Sequence, residues 1–321
     1  MKLLEQSWYQ KGHWLTLILL PLSAIYWVLS SIRRCLFRLG IMRSHNLAVP
    51  VVIVGNISVG GTGKTPFTLW LCQQLKANGI TAGIISRGYG AKISKPTAVN
   101  ADSKAGEVGD EPLLLARRSN CPVVVCPDRV AAGTELLSRH QVDIIICDDG
   151  LQHYRLARDL EIVLIDGKRR FGNGLLLPAG PLRERRSRLK NADIIIANSG
   201  EVSQADYQMQ LSGNVAISLL TGNVLSACDV TLVAGIGNPE RFQITARQAG
   251  FNVIGQHFFA DHHQFTAADF AEISGPVLMT EKDAVKCQQF ARDNWYFLRV
   301  DAFFSPNDST DIISKITQLL E

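Results

Sequence analysis

Residues 58–65 read SVGGTGKT and match the phosphate-binding pattern GxxxxGK[ST], except that Ser58 stands where the pattern has its first glycine. Glycines allow backbone N–H groups to curl around phosphates, Lys64 reaches the β- and γ-phosphates, and the Thr65 hydroxyl takes Mg²⁺. An apolar run at 51–55 precedes the loop and a helical pattern follows it, which is the required setting. We therefore predict nucleotide contacts from the whole loop: Ser58, Val59, Gly60, Gly61, Thr62, Gly63, Lys64 and Thr65.

Residues 143–150, DIIICDDG, form an apolar run that ends in two carboxylates, Asp148 and Asp149. This run has the form of a Walker B element, which holds or orients Mg²⁺ opposite the phosphate loop. Both carboxylates are predicted at the carboxyl edge of the sheet, where ligands bind in α/β proteins. A solvated turn after a strand is the competing interpretation.

Other polar segments have more than one interpretation. GDEP at 109–112 places Asp110 where it is either a helix cap or a proton acceptor for a hydroxyl nucleophile. DHH at 261–263 follows a predicted strand and is compatible with a metal site, a base or a helix start. The basic stretches 168–170 and 183–190 are either a solvated face or contacts for phosphates, an anionic lipid or the membrane surface.

An uncharged segment of 19 residues runs from Trp14 to Ile32, close to the length of about 20 residues that crosses a bilayer core. It is followed by Arg33, Arg34, Arg38 and Arg43. The segment is predicted to be a membrane anchor that either spans the bilayer or lies in its surface. Because positive residues favour the cytoplasmic side, the folded body is predicted in the cytoplasm. A helix packed on the protein's own core and a signal sequence are the alternatives.

Buried-strand runs alternate with helical patterns, which predicts an α/β fold of the P-loop NTPase type with a mostly parallel sheet and flanking helices. We predict three parts: an N-terminal membrane-associated helix and basic segment (1–46), a P-loop core (47–220) and a smaller C-terminal α/β lobe (221–321). The net charge of +4 does not by itself argue for nucleic acid. Seven cysteines without CxxC spacing predict reduced thiols rather than a zinc site. Predicted strands are 51–55, 82–86, 122–126, 142–147, 161–165, 193–197, 230–234, 251–255, 276–280 and 295–300, and predicted helices are 64–78, 129–140, 240–249 and 266–273.

Taken together, short motifs spread over nearly the whole chain resemble one family, the tetraacyldisaccharide 4′-kinases of lipid A biosynthesis. The apolar N-terminal segment with its arginines belongs to this resemblance. The motifs are GNISVGGTGKTP at 55–66, SRGYG at 86–90, GDEP at 109–112, PDR at 127–129, DDGLQH at 148–153, LPAGPLRE at 177–184, DHH at 261–263 and TEKD at 280–283. Ser58 in place of glycine is also similar to the family pattern.

The resemblance implies transfer of the ATP γ-phosphate to the 4′-hydroxyl of an acylated glucosamine disaccharide 1-phosphate, with Mg²⁺, at the cytoplasmic face of a bacterial inner membrane. It implies a lipid substrate and a membrane surface as partners; we expect no nucleic acid and infer no obligate protein partner.

The roles that the resemblance implies fall on individual residues. Asp110 is the catalytic base, and His262 assists it from the C-terminal lobe. Because motifs with catalytic residues occur in both lobes, we also predict that the C-terminal lobe closes over the site. The implied phosphate-binding residues are Lys64, Arg129 and Arg183, and the implied Mg²⁺ residues are Thr65, Asp148, Asp149 and Glu184. The implied substrate contacts are Arg87, Tyr89, Gln152 and His153.

Other nucleotide-binding classes fit the sequence less well. Partitioning-type ATPases carry a lysine directly before the two glycines, where this chain has Val59. A GTP-binding switch needs an NKxD-like guanine reader, which NSGE at 198–201 lacks. A soluble small-molecule kinase remains an alternative, but it has no use for the apolar segment 14–32.

Overall fold

Short apolar runs rich in β-branched residues alternate with helical stretches along this chain, and the runs form strands in the computed structural model, which describes residues 2–10 and 12–321. The helices are α1 (Lys2–Tyr9), α2 (Trp14–Arg38), α3 (Lys64–Ala77), α4 (Ala105–Val108), α5 (Asp110–Ser119), α6 (Arg129–Arg139), α7 (Pro239–Gln248), α8 (Glu281–Cys287) and α9 (Pro306–Thr317). The strands are β1 (Val51–Gly55), β2 (Ala82–Ser86), β3 (Thr97–Val99), β4 (Val123–Val125), β5 (Ile144–Asp148), β6 (Leu160–Asp166), β7 (Ile194–Asn198), β8 (Tyr207–Ser218), β9 (Val224–Leu225), β10 (Asp229–Ala234), β11 (Asn252–Phe258), β12 (Val277–Thr280) and β13 (Trp295–Phe303). Short 3₁₀ turns lie at Arg186–Asn191, Ala267–Phe270, Gln288–Phe290 and Gln318–Leu320.

The strands form one sheet in the order β11-β10-β12-β13-β8-β7-β6-β1-β5-β2-β4-β3, with β9 beside β8. The pairs β3–β4, β8–β13 and β8–β9 are antiparallel, and the other pairs of described strands are parallel. The predicted mostly parallel α/β sheet is therefore confirmed. Because β5 and β6 flank β1, the loops that follow these three strands meet at one carboxyl edge.

The apolar run of β1 is continuous because both faces of the strand are buried. Val52 and Val54 belong to the core that packs under α3, α5 and α9, whereas Val51 and Ile53 belong to the core on the side of α6. Helices therefore cover both faces of this half of the sheet, as the strand–helix alternation predicts.

Strand β8 joins the two halves of the sheet. Its residues 207–209 pair in parallel with β7, and its residues 210–218 pair antiparallel with β13. The C-terminal helix α9 then packs back on α3, where Ile312 and Ile316 share a core with Phe67. A shared strand and a returning helix, rather than a flexible linker, thus connect the two parts on either side of the predicted boundary at 221.

The predicted helix at 266–273 is wrong. This segment contains only the 3₁₀ turn Ala267–Phe270, which starts from a capping box between Thr266 and Asp269. Within 266–273 only Phe270 is buried, so the segment has too little packed apolar face to hold a helix beyond one turn. The other predicted elements are present: β1 and β2 have the predicted bounds, and the rest have ends shifted by one to a few residues. No range is predicted from the sequence for α1, α4, α5, α8, α9, β3, β8 or β9.

Helix α2 is 25 residues long, about 37 Å at 1.5 Å per residue, and its length and apolar composition allow it to cross a membrane. One stripe contacts the folded body: Tyr26 Oη donates to Arg183 O at 3.0 Å, and Ala179 N donates to Ser23 Oγ at 3.2 Å. The rest is open, with Leu17 and Leu29 exposed by 69% and 63%. Core helices and signal sequences can have the same length and apolar composition as a membrane-spanning helix. The exposure of α2 shows that it is not a core helix of this fold.

Candidate active site

The phosphate loop leaves the buried strand β1 and enters α3 at Lys64. Asn56 Nδ2 donates to Thr62 Oγ1 at 3.3 Å, and Asn198 Nδ2, at the end of β7, donates to Thr62 O at 2.9 Å. Gly63 has φ +92°, a conformation that L-residues avoid, and a Cβ there would lie 2.5 Å from Asn198 Nδ2. Two buried asparagines outside residues 58–65, together with the glycine at position 63, therefore fix the conformation of the loop.

Ser58 has a structural use at the position where the loop pattern has glycine. It is buried and forms a backbone bridge with Leu182, and Val59 N donates to Pro181 O at 2.8 Å. The first loop position thus pairs the loop with the segment that carries Arg183.

The acidic pair lies beside the loop lysine. Lys64 Nζ is 3.3 Å from Asp149 Oδ1, and Arg183 Nη1 donates to both Asp149 oxygens at 3.2 Å. Burial works to raise the pKa of Asp149, but the two cations more than offset burial and hold this pKa well below its usual range. The predicted proximity of the Walker B carboxylates to the phosphate loop is present.

Asp148, the last residue of β5, has a different environment. It is fully buried, and its Oδ1 has no hydrogen-bond partner among the residues that the structure describes. Burial, with a further contribution from Glu111, raises the pKa of Asp148 to about 7, and Lys64 opposes the rise. A buried carboxylate oxygen without a donor is costly unless a cation or water completes it.

This donor set fits Mg²⁺. Within residues 2–10 and 12–321 there is no group of three or more His, Cys, Asp and Glu side chains that could hold a metal. Mg²⁺ does not require one, because it binds through one or two carboxylates, waters and substrate phosphates. The unpartnered oxygen of Asp148 beside the loop lysine is the feature that fits a hard cation.

Asp110 begins α5 and is 5% exposed. Gly109 precedes it with φ +94°, and a Cβ on Gly109 would lie 2.9 Å from Tyr89 O, so only glycine allows this entry into the helix. Glu111 N donates to Asp110 Oδ1 at 2.9 Å, and the positive end of the helix favours the charged carboxylate.

His262 reaches Asp110 from the other half of the sheet. It lies in the loop after β11, has φ +61°, and its Nδ1 is 3.0 Å from Asp110 Oδ2. Burial raises the pKa of Asp110, but the His262 hydrogen bond and the charges of Lys282 and Lys286 lower it on balance. Burial lowers the pKa of His262, but the hydrogen bond and charge of Asp110, together with the charge of Asp261, raise it on balance. The two residues, 152 positions apart, already form the pair that the resemblance implies.

Four other predicted residues surround this edge. Arg129 begins α6, is buried, and its Nη2 donates to Asp149 O at 3.5 Å. His153 Nε2 accepts from Arg129 N at 3.4 Å, and burial, then Arg129, lowers the pKa of His153 to about 4. Gln152 Nε2 donates to Asn56 O at 3.1 Å. Tyr89 is 59% exposed, and its ring centroid is 4.8 Å from that of His262.

Arg87, in the same SRGYG segment as Tyr89, is exposed. Within residues 2–10 and 12–321 it forms no side-chain hydrogen bond or ion pair with the other predicted site residues.

Glu184 is buried in a network of donors. Tyr154 Oη donates to it at 2.6 Å, Gln152 Nε2 at 3.0 Å and Arg34 Nη1, from α2, at 3.2 Å. Arg188 Nε lies 3.5 Å from the same carboxylate. The carboxylate is thus occupied by protein groups and couples α2 to the edge of the site; its implied role at Mg²⁺ stays a prediction.

Two functional neighbours escaped the sequence reasoning. Asn198 holds the phosphate loop, and Lys282, in the TEKD segment, contacts the Asp110–His262 pair. Asn198 could have been predicted as a site residue because it is polar and directly follows the predicted strand 193–197. Lys282 could have been predicted because it lies in the TEKD motif at 280–283, which is part of the family resemblance.

Comparisons with known proteins agree with this geometry. The sequence model of the LpxK family, described as tetraacyldisaccharide-1-P 4′-kinase, matches residues 15–320. The tetraacyldisaccharide 4′-kinase of Shewanella woodyi is 47% identical over 94% of this chain and 90% of its own length. That of Shewanella loihica is 48% identical over 98% of this chain and 96% of its own.

A solved structure has the same fold. The crystal structure of LpxK from Aquifex aeolicus in complex with ATP superposes with a TM-score of 0.81 at 27% identity, covering 96% of this chain and all of that one. The family match spans the apolar helix, the phosphate loop, the acidic pair and the Asp110–His262 pair. The chain therefore belongs to the tetraacyldisaccharide-1-P 4′-kinase family, and it is an ATP-dependent kinase of lipid A biosynthesis.

Proposed function

We propose that this protein transfers the γ-phosphate of ATP to the 4′-hydroxyl of a tetraacylated glucosamine disaccharide 1-phosphate, with Asp110 as the catalytic base. The names of its relatives support the substrate. The observation that carries the assignment of the base is the 3.0 Å contact between His262 Nδ1 and Asp110 Oδ2. A buried carboxylate that is ionised, and that a histidine holds at the edge that carries the phosphate loop, has the free acceptor that a hydroxyl proton needs.

The loop amides and Lys64 hold the ATP phosphates so that the γ-phosphorus faces the hydroxyl. As the new O–P bond forms, the proton of the hydroxyl passes to Asp110, and the bond from the γ-phosphorus to the β–γ bridging oxygen breaks. ADP leaves with that electron pair. His262 donates its N–H to Asp110 and keeps the carboxylate oriented throughout this step.

Arginines and polar side chains around the edge complete the proposed site. Arg129 and Arg183 offset phosphate charge in this proposal. Both contact Asp149, which lies beside the loop lysine Lys64, so both lie close to the proposed phosphate site. The proposed contacts of the sugar and its 1-phosphate are Arg87, Tyr89, Gln152 and His153.

The proposed Mg²⁺-binding residues are Thr65, Asp148, Asp149 and Glu184. When bound, the ion neutralises negative charge that develops on the β- and γ-phosphate oxygens.

The apolar face of α2 supports a location on the membrane. Acyl chains hold the substrate in the bilayer with about 0.8 kcal/mol for each buried CH₂, so an enzyme that acts on it gains by binding there. Arg33, Arg34, Arg38 and Arg43 support our proposal that the body lies on the cytoplasmic face of the inner membrane, because positive residues favour the cytoplasmic side. We further propose that residues 1–46 form the membrane part, 47–220 the kinase core and 221–321 a lobe that closes over the site.

The experiment uses the full chain in mild detergent with Mg²⁺, γ-labelled ATP and a tetraacylated disaccharide 1-phosphate. Wild type should label the lipid at the 4′ position. Asp110→Asn should lower kcat by about 10²–10⁴-fold, the usual contribution of a positioned base. Asp102→Asn, an exposed aspartate that precedes the same helical region, is the matched control and should retain wild-type turnover. Near-normal turnover in Asp110→Asn, or nucleotide hydrolysis without lipid labelling in wild type, would contradict the proposal.

A further inference from the structure

Lys282, the second residue of α8, lies directly against the Asp110–His262 pair. Its Nζ is 3.0 Å from Glu111 Oε1, 3.3 Å from His262 Nε2 and 4.0 Å from Asp110 Oδ2. The side chain is mostly buried, and the Glu111 and Asp110 carboxylates raise the pKa of Lys282 against the effect of burial, so the amine is an ammonium ion. A fixed cation therefore faces the ring nitrogen of His262 that points away from Asp110.

The donor and acceptor inventory of these groups determines where the imidazole proton lies. An ammonium ion has donors only, so the His262 Nε2 that it contacts must offer a lone pair. The ionised Asp110 carboxylate has acceptors only, so the Nδ1 that it contacts must carry the hydrogen. Both neighbours select the same neutral tautomer, with hydrogen on Nδ1 and none on Nε2.

We infer that Lys282 is a positioning residue of this kinase: it keeps a second proton off Nε2 of His262, so that the neutral ring donates its Nδ1–H to Asp110 without placing a full positive charge against the base. This inference rests on the proposed role of Asp110 as the base. Without Lys282, Asp110 still holds the hydrogen on Nδ1, but the ring takes up a second proton on Nε2 more readily, and the resulting imidazolium lowers the proton affinity of the Asp110 carboxylate.

The charges around His262 come from several elements. Asp110 and Glu111 belong to α5, Asp261 precedes His262 in its own loop, and Tyr89 lies in the segment after β2. Lys282 and Lys286 come from α8, and Lys286 Nζ is 3.9 Å from Asp110 Oδ2. The carboxylates favour the imidazolium, whereas the ammonium of Lys282 opposes a proton on Nε2 because both groups would then be donors.

Glu111 gives Lys282 its position. The 3.0 Å ion pair joins α5 to α8, so the same lysine links the element that carries Asp110 to the half of the sheet that carries His262. A merely structural ion pair would contribute to stability alone. A positioning role also predicts a change in the pH at which His262 takes up its second proton and in the pH dependence of turnover.

The direct test measures the imidazole nitrogen shifts of ¹⁵N-labelled full-length protein in detergent as a function of pH. The His262 signals are assigned by their absence in His262→Gln. We expect the neutral ring of wild type to carry hydrogen on Nδ1, and Lys282→Met to keep that hydrogen but to remain protonated on both nitrogens up to a higher pH. Lys282→Arg keeps a cationic donor and should resemble wild type, as should Lys76→Met, an exposed lysine at the end of α3. Hydrogen on Nε2 in the neutral ring of wild type would overturn the inference without any variant.

Kinetics provide the second readout. Lys282→Met should lower kcat by about 10- to 100-fold, part of the 10²–10⁴-fold that a positioned base contributes, with an unchanged KM for ATP. Removal of a cation favours the protonated forms of His262 and Asp110, so the acidic limb of the pH–kcat profile should move to higher pH. Lys282→Arg should restore most of the rate.

The two proposals fail in different ways. If wild type does not phosphorylate the lipid, the proposed function fails, whereas the imidazole titration still decides the role of Lys282. If wild type is active and Lys282→Met has the wild-type imidazole titration and pH profile, the role of Lys282 is refuted and the kinase proposal stands.

Discussion

Gly63 is the glycine of the phosphate loop whose replacement has the clearest structural cost. Its φ of +92° lies in the left-handed region, which costs an L-residue about 1–2 kcal/mol. A Cβ would also lie 2.5 Å from Asn198 Nδ2 and 2.9 Å from the methyl of Met209, distances that the neighbours must relieve by moving.

Asn198 is poorly able to move. Its Nδ2 donates to Thr62 O at 2.9 Å, and its Oδ1 accepts from Ser199 Oγ at 2.7 Å and from Arg241 Nη2 at 3.2 Å. Loss of one such buried hydrogen bond costs about 1–3 kcal/mol. Gly63→Ala should therefore destabilise the protein by about 2–5 kcal/mol in total. At about 2 °C for each kcal/mol in a chain of this size, Tm should fall by about 4–10 °C.

Thermal unfolding without nucleotide is the assay, because bound ATP would add its own stabilisation. Gly61→Ala in the same loop is the matched control: no described atom lies within 4 Å of a Cβ there, and its φ is not in the left-handed region. We expect Gly61→Ala to keep the Tm of the wild type. Equal Tm values for the two variants would refute the argument that Asn198 and the backbone of residue 63 fix the loop.

Three further predictions concern the donor network, the pH dependence and the membrane. Glu184→Ala removes the acceptor of Tyr154 and Arg188. Because breaking a buried ion pair costs about 3–5 kcal/mol, the denaturant midpoint of unfolding should fall, and an unchanged midpoint would argue against a structural role of Glu184. Burial and Arg129 lower the pKa of His153 to about 4. The stability that the neutral ring contributes is therefore complete above its unfolded pKa of about 6.5 and is lost as pH falls toward 4. Between about pH 7 and pH 5, the Tm of His153→Gln should fall less than that of wild type, and equal falls would show that His153 does not cause the acid destabilisation. The double substitution Leu17→Gln and Leu29→Gln should reduce recovery in the membrane fraction without lowering Tm, since both side chains are exposed; full membrane recovery would count against bilayer contact through α2.

Local patterns were sufficient for the elements with strong signals. The apolar runs predicted the parallel strands because a strand buried on both faces needs apolar residues throughout. The predicted helix at 266–273 is wrong because a good capping box was not followed by an apolar face: only Phe270 of this segment is buried, which is too little packing to hold a helix. Strand β8 gave little signal because its two ends have different partners and its middle is partly exposed.

By itself, the sequence determined the phosphate loop, the acidic pair and the alternation of buried strands with helices that is typical of a parallel sheet, because each is a pattern of residues close together in the chain. Lys64 and Asp149 were predictable as neighbours from the rule that strand ends meet at one edge. Only the tertiary structure decided that Lys282 contacts the ring of His262 and that Asn198 holds Thr62. Those contacts join positions far apart in the chain, and they depend on strand order, which local periodicity does not encode.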